Sequence, residues 1–286
     1  MRLRLINFAI IVYYCLSALL GRRSKIEEDD DLNQRGKIIV SLTTKPERIA
    51  KTWLVAESIL RQKKKPDGLI LYVARDEFEK ESALPRSILS LRKRGLRIVF
   101  VQDNLKPHNK YFHAMCAYPK ADILTIDDDK IYTPNLVGNL TEYSKKYPGS
   151  ICAVLVRRIM VKDRLVNSYL NWMIPRKNAN PSHALLSLGV GGVLFPSGSL
   201  HSDLFDVEQL KDKALLTDDL WIKIMALKQG TKIASAAGMF DYPFISIVGL
   251  GKEQLMNLNV LKGQNDVVFK DLLESYQIDI GQLAEG

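Results

Sequence analysis

Cysteine is scarce in this chain: Cys15, Cys116 and Cys152 are odd in number, widely spaced and set in apolar surroundings. That excludes a disulfide framework and a thiolate zinc site, and reads as buried thiols in a reducing compartment. Histidine is scarce too. His113, His183 and His201 read as surface or core polar residues, and no histidine follows His201. No internal repeat is visible, and no nucleic-acid motif or interleaved aromatic accompanies the basic runs "RQKKK" (61–65) and "RKRG" (92–95). Those runs read as solvated helix ends, so nucleic acid is not expected as a partner. A single glycosylation sequon, Asn139-Leu140-Thr141, is what chance gives in a chain of this length.

What is present is enough for a full core. With 286 residues and 47% hydrophobic content, the chain forms one large domain or two small ones, and extensive disorder is excluded. The net charge of +9 does not come from the N-terminus. There Arg2, Arg4, Arg22, Arg23 and Lys25 are matched by Glu27, Glu28, Asp29, Asp30 and Asp31. The excess belongs to residues 32–286 and favours an anionic partner, whether an acidic membrane leaflet or a phosphorylated small molecule.

Residues 5–20, "LINFAIIVYYCLSALL", are apolar apart from Asn7 and Ser17 and have basic flanks. As a helix the run reaches ~24 Å, short of the ~30 Å hydrocarbon core. It reads as a membrane anchor over residues 1–25, either a short signal-anchor or a helix lying in the interface. No small-residue cleavage site follows it, which disfavours a removed signal peptide. The excess of Arg22, Arg23 and Lys25 over Arg2 and Arg4 favours the cytoplasmic side of the membrane for the remaining domain. Residues 26–36 read as an acidic linker and 37–286 as the main domain.

From Lys37 the pattern alternates. Strands are expected at 37–42, 69–74, 98–101, 123–126 and 151–156, and Ile49, Trp53, Ala56 and Leu60 recur at helical spacing between the first two. Further helical stretches follow Pro85, run near 110–118 and cover 134–147. Strands separated by helices imply an α/β fold with a mostly parallel, Rossmann-like sheet, whose ligands bind beyond the carboxyl ends of the strands. Residues 157–182, with Trp172, Pro175 and Pro181, read as an irregular segment over that edge.

The fourth strand runs directly into Asp127, Asp128 and Asp129. Three adjacent carboxylates at the end of a buried strand repel one another, and a divalent magnesium or manganese ion would relieve them while also binding an anionic diphosphate. On that view, Asp129→Ala removes a repulsion and leaves stability unchanged or raised. A haloacid-dehalogenase type of phosphatase would need Gly-Thr where Lys130-Ile131 stand.

"IVSLTTKPERI" (39–49), "TIDDDKIYTP" (125–134), "GVGGVLFPSGSLH" (189–201) and "TDDLWIKIMAL" (217–227) together resemble GT-A fold glycosyltransferases, in particular a bacterial group that builds surface polysaccharides. The resemblance covers most of 37–277 and leaves the N-terminal 36 residues outside. It implies transfer of a sugar from a nucleotide-sugar donor to a hydroxyl of a lipopolysaccharide- or capsule-type glycan or glycolipid, with Mn2+ or Mg2+. It implies that Asp127 and Asp129 form the Asp-x-Asp metal pair, and that Asp128 supports it or contacts the sugar. Thr43, Thr44 and Arg48 would meet the nucleotide and its phosphates, although they also suit a strand-to-helix turn with Pro46 in the first helical turn. Gly191 and Gly192, with Gly189, would let backbone approach the sugar, or form a bulged strand. Asp219 would be the general base and Asp218 its neighbour, where a helix N-terminus capped by Thr217 alone explains two acids. Many such enzymes carry a late metal-binding His. Here Asn265, Asp266 or water would fill that place. The rival readings are a membrane-tethered binding protein of the same fold and a sugar-phosphate nucleotidyltransferase. The second normally has a Gly-rich loop after the first strand, and "SLTTKPERI" has no glycine.

Overall fold

The computed structural model describes residues 2–19, 24–27, 29, 31–248 and 263–284. Arg22, Arg23, Glu28 and Asp30, used above in the charge comparison, lie outside them.

Helix α1 (Arg2–Leu19) is followed by β1 (Ile38–Thr43), α2 (Pro46–Leu60), β2 (Gly68–Ala74), a short α3 (Arg86–Leu89), β3 (Leu96–Val101), α4 (Phe112–Ala117) and β4 (Asp122–Thr125). All seven residues of β2 are buried, and only Thr43 of β1 is not. Continuous apolar runs of this kind suit parallel strands covered on both faces. β3, at the sheet edge, leaves Val99 exposed. Pro46 opens α2, where its fixed φ suits the first turn and its missing N–H costs nothing.

The chain continues through β5 (Lys130–Tyr132), α5 (Leu136–Lys146), β6 (Ile151–Arg158), the hairpin β7 (Val161–Lys162) and β8 (Leu165–Val166), then β9 (Ala179–Ser182) and β10 (Leu185–Phe195). It closes with α6 (Val207–Lys213), α7 (Asp218–Gln229), β11 (Ile233–Ser235), β12 (Phe244–Ser246), the helix Gln264–Ser275 and the short turn of helix Gly281–Ala284. Eight strands form one sheet in the order β3-β2-β1-β4-β10-β6-β11-β9. β1, β2, β3 and β4 are mutually parallel. β10 runs antiparallel to both β4 and β6, and β9 antiparallel to β11, so the sheet is mixed, with parallel pairs in the majority.

The order fixes where a ligand can sit. From β1 the chain moves outward through β2 and β3, then returns to place β4 on the other side of β1. The crevice at the carboxyl ends of β1 and β4 is therefore a topological switch point. Thr43 and Thr44 leave one side of it and the aspartate triplet the other.

The segment 157–182 is more ordered than its composition suggests. Trp172 is buried, with its ring 4.8 Å from Tyr169 and 5.2 Å from Phe269. Of the acidic stretch after α1, Ile26 and Leu32 are buried, and the Ile26 N–H donates to the Arg94 carbonyl. Among the described residues no helix is long and apolar enough to cross a membrane. A spanning signal-anchor is thereby corrected: Arg2 and Arg4 fall inside α1, and its axis reaches only ~27 Å.

Candidate active site

Three aspartates can end a buried strand here because three basic side chains meet them. Asp128 is almost fully buried and accepts from Thr44 Oγ1 at 2.7 Å and from Arg48 Nη1 at 2.7 Å. Asp129, equally buried, pairs with Lys130 Nζ at 2.5 Å, and Arg48 lies 3.5 Å from its other oxygen. Asp127 pairs with Lys110 Nζ at 3.3 Å, and its backbone N–H donates to Tyr132 Oη at 2.9 Å. Burial pushes the Asp128 carboxyl up, with Arg48 and Thr44 opposing. The expectation that Asp129→Ala only relieves repulsion is thus overturned: it would strand Lys130, itself buried with Asp129 as its ion-pair partner.

Lys110 is the site residue that sequence reasoning missed. It is 8% exposed, and besides Asp127 it lies 2.7 Å from Asp218 Oδ2, an ion pair without the alignment of a hydrogen bond. One ammonium group therefore ties the aspartate triplet after β4 to the acidic pair that opens α7. Burial disfavours its charge, but Asp218, Asp127 and Asp219 outweigh that and hold it well above the ordinary lysine value. Burial likewise pushes Asp218 up, but Lys110 and His108 bring it below the usual carboxylate range. Asp219 moves the other way: burial and the Asp218 charge raise it to about 8, with Lys110 only partly opposing. Two adjacent carboxyls with opposed shifts are the pattern of an acid–base pair. No local pattern in "KPHNKYF" marks Lys110, since its partners lie 17 and 108 residues away.

Of the glycines, Gly189 faces this cluster. Its N–H donates to Asp219 Oδ1 at 3.0 Å, and a side chain there would collide with Lys110 Nζ. Leu188 faces Leu155 and Val193 faces Ala153, so residues 189–192 bulge from β10. Gly192 has φ +99°, which favours glycine, and an added Cβ at Gly191 would press on Val154 and Leu155 of β6. Both are accounted for by the bulge. Thr43 turns away, its hydroxyl donating to the Tyr72 carbonyl at 2.9 Å, so of the two threonines only Thr44 joins the triplet. The Asp266 carboxylate accepts from the Tyr169 N–H at 2.6 Å and the Ser168 hydroxyl at 3.0 Å, pinning the 157–182 segment, while Asn265 is buried beside it. His201 accepts the Asp203 N–H, and His113 contacts Asn109. Neither histidine approaches a carboxylate of the triplet. The missed His108 is buried between the Tyr111 hydroxyl and the Ala214 carbonyl.

Among the described residues no three His, Cys, Asp or Glu side chains are grouped to hold a metal ion by themselves. Magnesium and manganese typically take one or two carboxylates and complete their shell with water and phosphate oxygens. The donors here fit that requirement. Asp127 is a quarter exposed, with a long 3.3 Å contact on one oxygen, and the second oxygen of Asp129 has, among the described residues, only Arg48 at 3.5 Å, whereas both oxygens of Asp128 are held by 2.7 Å bonds.

No protein-family description and no curated protein matches this sequence. Solved structures do match in shape. S. aureus TarS, residues 1–349, in complex with UDP-GlcNAc, is 12% identical over 85% of this chain and 66% of its own, with a TM-score of 0.53. Mannosyltransferase PcManGT from Pyrobaculum calidifontis, in complex with GDP-Man and Mn2+, is 12% identical over 98% of this chain and 79% of its own, with a TM-score of 0.47. A CMP:2-keto-3-deoxy-manno-octonic acid synthetase with CTP gives 10% identity, 80% and 100% coverage and a TM-score of 0.44. At this identity the likeness speaks for the fold alone: the chain has a GT-A-like, Rossmann-type α/β fold with its acidic motifs at the switch point of the sheet.

Proposed function

We propose that this protein is a glycosyltransferase that moves a sugar from a nucleotide-diphosphate donor to a hydroxyl of a surface glycan or glycolipid, with Mn2+ or Mg2+ bound at Asp127 and Asp129. The observation that carries this reading is the convergence of two acidic motifs from distant parts of the chain on one buried ammonium, Lys110, at the switch point of the sheet. The GT-A-like fold supports it, because nucleotides in such sheets sit at that edge.

The metal, when bound, neutralises charge building on the leaving diphosphate. The chain's own groups do the rest. Thr44 and Arg48 fix Asp128 by two 2.7 Å bonds, which sets the direction of the triplet. Arg48, Lys110 and Lys130 supply positive charge at the edge where phosphate oxygens would lie, arranged before the reaction starts. Asp219 accepts the acceptor's hydroxyl proton. Its raised pKa makes it a stronger base than an ordinary carboxylate but leaves it largely protonated near neutrality, so transfer should rise with pH through about 8. Asp218, held ionised by Lys110, keeps that pKa high. Association with an inner membrane through α1, catalytic domain on the cytoplasmic side, belongs to the same reading.

The test is to screen the purified full chain against nucleotide sugars with and without manganese. Manganese-dependent sugar transfer or donor hydrolysis is expected. Binding of a nucleoside diphosphate without turnover on any donor would make it a binding protein, and pyrophosphate release from a nucleoside triphosphate plus sugar phosphate would make it a nucleotidyltransferase.

A further inference from the structure

Helix α1 is built inside out for a helix that ends in water. Its two polar residues from the apolar run, Asn7 and Ser17, are each only 6% exposed and face the domain with Tyr14. Asn7 donates to the Ser246 carbonyl at 3.1 Å and accepts the Val248 N–H at 3.1 Å, and Arg61 donates to Ser17 Oγ at 2.9 Å. Leu5, Phe8, Val12 and Leu16 form the opposite stripe and are 61, 66, 37 and 53% exposed. An amphipathic helix at a protein–water surface has the reverse arrangement.

Between α1 and the β5–β12 ribbon lies a cleft of about 500 Å³, a size that holds one small molecule. Ile10, Tyr13 and Tyr14 of α1 line it, with Ile131 and Ile245 opposite, and Arg61 is the charged group in its wall. Arg61 Nε donates to Glu57 at 2.6 Å and Nη1 to Ser17, and among the described residues buried Nη2 has no partner. Other cations crowd round. Lys65 bonds to Ser24, which also lines the cleft, and is pushed down by burial and by Arg94 and Arg61. The patch thus carries more positive than negative charge, with Glu57 the one carboxylate shared by Arg61 and Arg94, and among the described residues the apolar stripe beside it lacks a cover.

We infer that α1 lies in the plane of a membrane surface, its Leu5, Phe8, Val12 and Leu16 stripe in the acyl region, and that the cleft takes the headgroup end of one anionic phospholipid with its phosphate on Arg61. This rests on the membrane association proposed above and gives it a geometry and a lipid class. Apolar area plus attraction to anionic headgroups is how interfacial helices bind, and tyrosines such as Tyr13 and Tyr242, both largely exposed here, suit the headgroup level. Tyr132 lines the cleft and also accepts the Asp127 N–H, so the lipid surface and the candidate active site share a wall.

The experiment is flotation of the purified full chain with vesicles of phosphatidylcholine alone or mixed with phosphatidylglycerol. Each basic residue at an anionic surface strengthens binding about fivefold, so the mixed vesicles should bind at least about tenfold tighter. Phe8→Ser with Leu16→Ser, which breaks no internal contact named above, should abolish flotation with melting and nucleoside-diphosphate binding unchanged. Arg61→Gln should cut the preference for phosphatidylglycerol by about fivefold and abolish binding of a short-chain soluble phosphatidylglycerol. Equal binding to both vesicle types, undiminished flotation of the Phe8/Leu16 variant, or displacement of the short-chain lipid by inorganic phosphate would each overturn the inference. Donor binding by the soluble chain is read separately. Its failure counts against glycosyl transfer and leaves the lipid result standing, and the converse also holds.

Discussion

Replacing Lys110 by Met removes the charge that joins the two acidic motifs and keeps most of the side chain's volume. Asp218 at 2.7 Å and Asp127 at 3.3 Å then lose their shared cation, and Asp218 does so with its side chain only 13% exposed. Breaking a buried pair from one side costs about 3–5 kcal/mol, because the remaining charge stays uncompensated. For a domain of this size class that lowers the melting temperature by roughly 6–20 °C at pH 8. The loss depends on pH in a fixed direction. Lys110 has a raised pKa, so its contribution is complete below about 10.5 and fades only above it. Asp218 has a lowered one, so its contribution is complete above about 4 and fades as pH falls. The native pair is therefore intact at both pH 5 and pH 8. In the variant each stranded carboxylate escapes by taking a proton, at about 1.4 kcal/mol per pH unit above its unfolded value near 3.9. At pH 5 the loss falls to roughly 1.5–3 kcal/mol for the two groups. Circular-dichroism melts of both proteins at pH 5 and pH 8 measure it, and Lys110→Met with Asp218→Asn should recover part of the pH 8 loss. A variant that melts within about 2 °C of the parent at pH 8, or whose deficit does not change with pH, refutes the bridging role.

Asp219→Asn should lower kcat by about 10²–10⁴ with nucleoside-diphosphate binding retained, while Asp218→Asn, which withdraws a neighbouring charge, should shift the pH–rate profile to lower pH; a parental rate for Asp219→Asn places the base elsewhere. Asp129→Ala should abolish transfer and also lower the melting point, since it strands Lys130; an unchanged or raised melting point means Lys130 has another partner. Gly189→Ala should impair activity by displacing Lys110, whereas Gly138→Ala in α5, where an added Cβ meets only Lys64 Cβ at 3.6 Å, should stabilise by about 0.5–1 kcal/mol in chemical denaturation. A chelator should stop transfer and leave the melt of the donor-free protein in place, because Arg48, Lys110 and Lys130 already balance the triplet; transfer that survives chelation removes the metal from the reading.

The apolar runs in β1, β2 and β4, the proline opening α2 and the position of the aspartate triplet past a buried strand were all legible in the sequence. Each is a local matter: a strand covered on both faces must be apolar along its length, and its end is where polar residues can begin. The acidic pair at the start of α7 was legible as a helix start, because the macrodipole favours it wherever the helix packs. The tertiary structure decided the rest. The antiparallel insertion of β10 between β4 and β6 brings the glycine bulge and α7 to the triplet, and no periodicity reports which strands become neighbours. Nothing local in the sequence marks Lys110 or Lys130 as a counter-ion, and only the buried place where carboxylates gather, distant ones in the case of Lys110, makes them so. Asn7 and Ser17 looked like two blemishes in a uniformly apolar run. Both point at the domain because a polar side chain gains most where it can pair with the Ser246 carbonyl and Arg61, and the apolar residues are left facing out. Composition sets how much apolar surface a helix carries, but which side of it meets the protein is set by the partners that the rest of the chain brings to it.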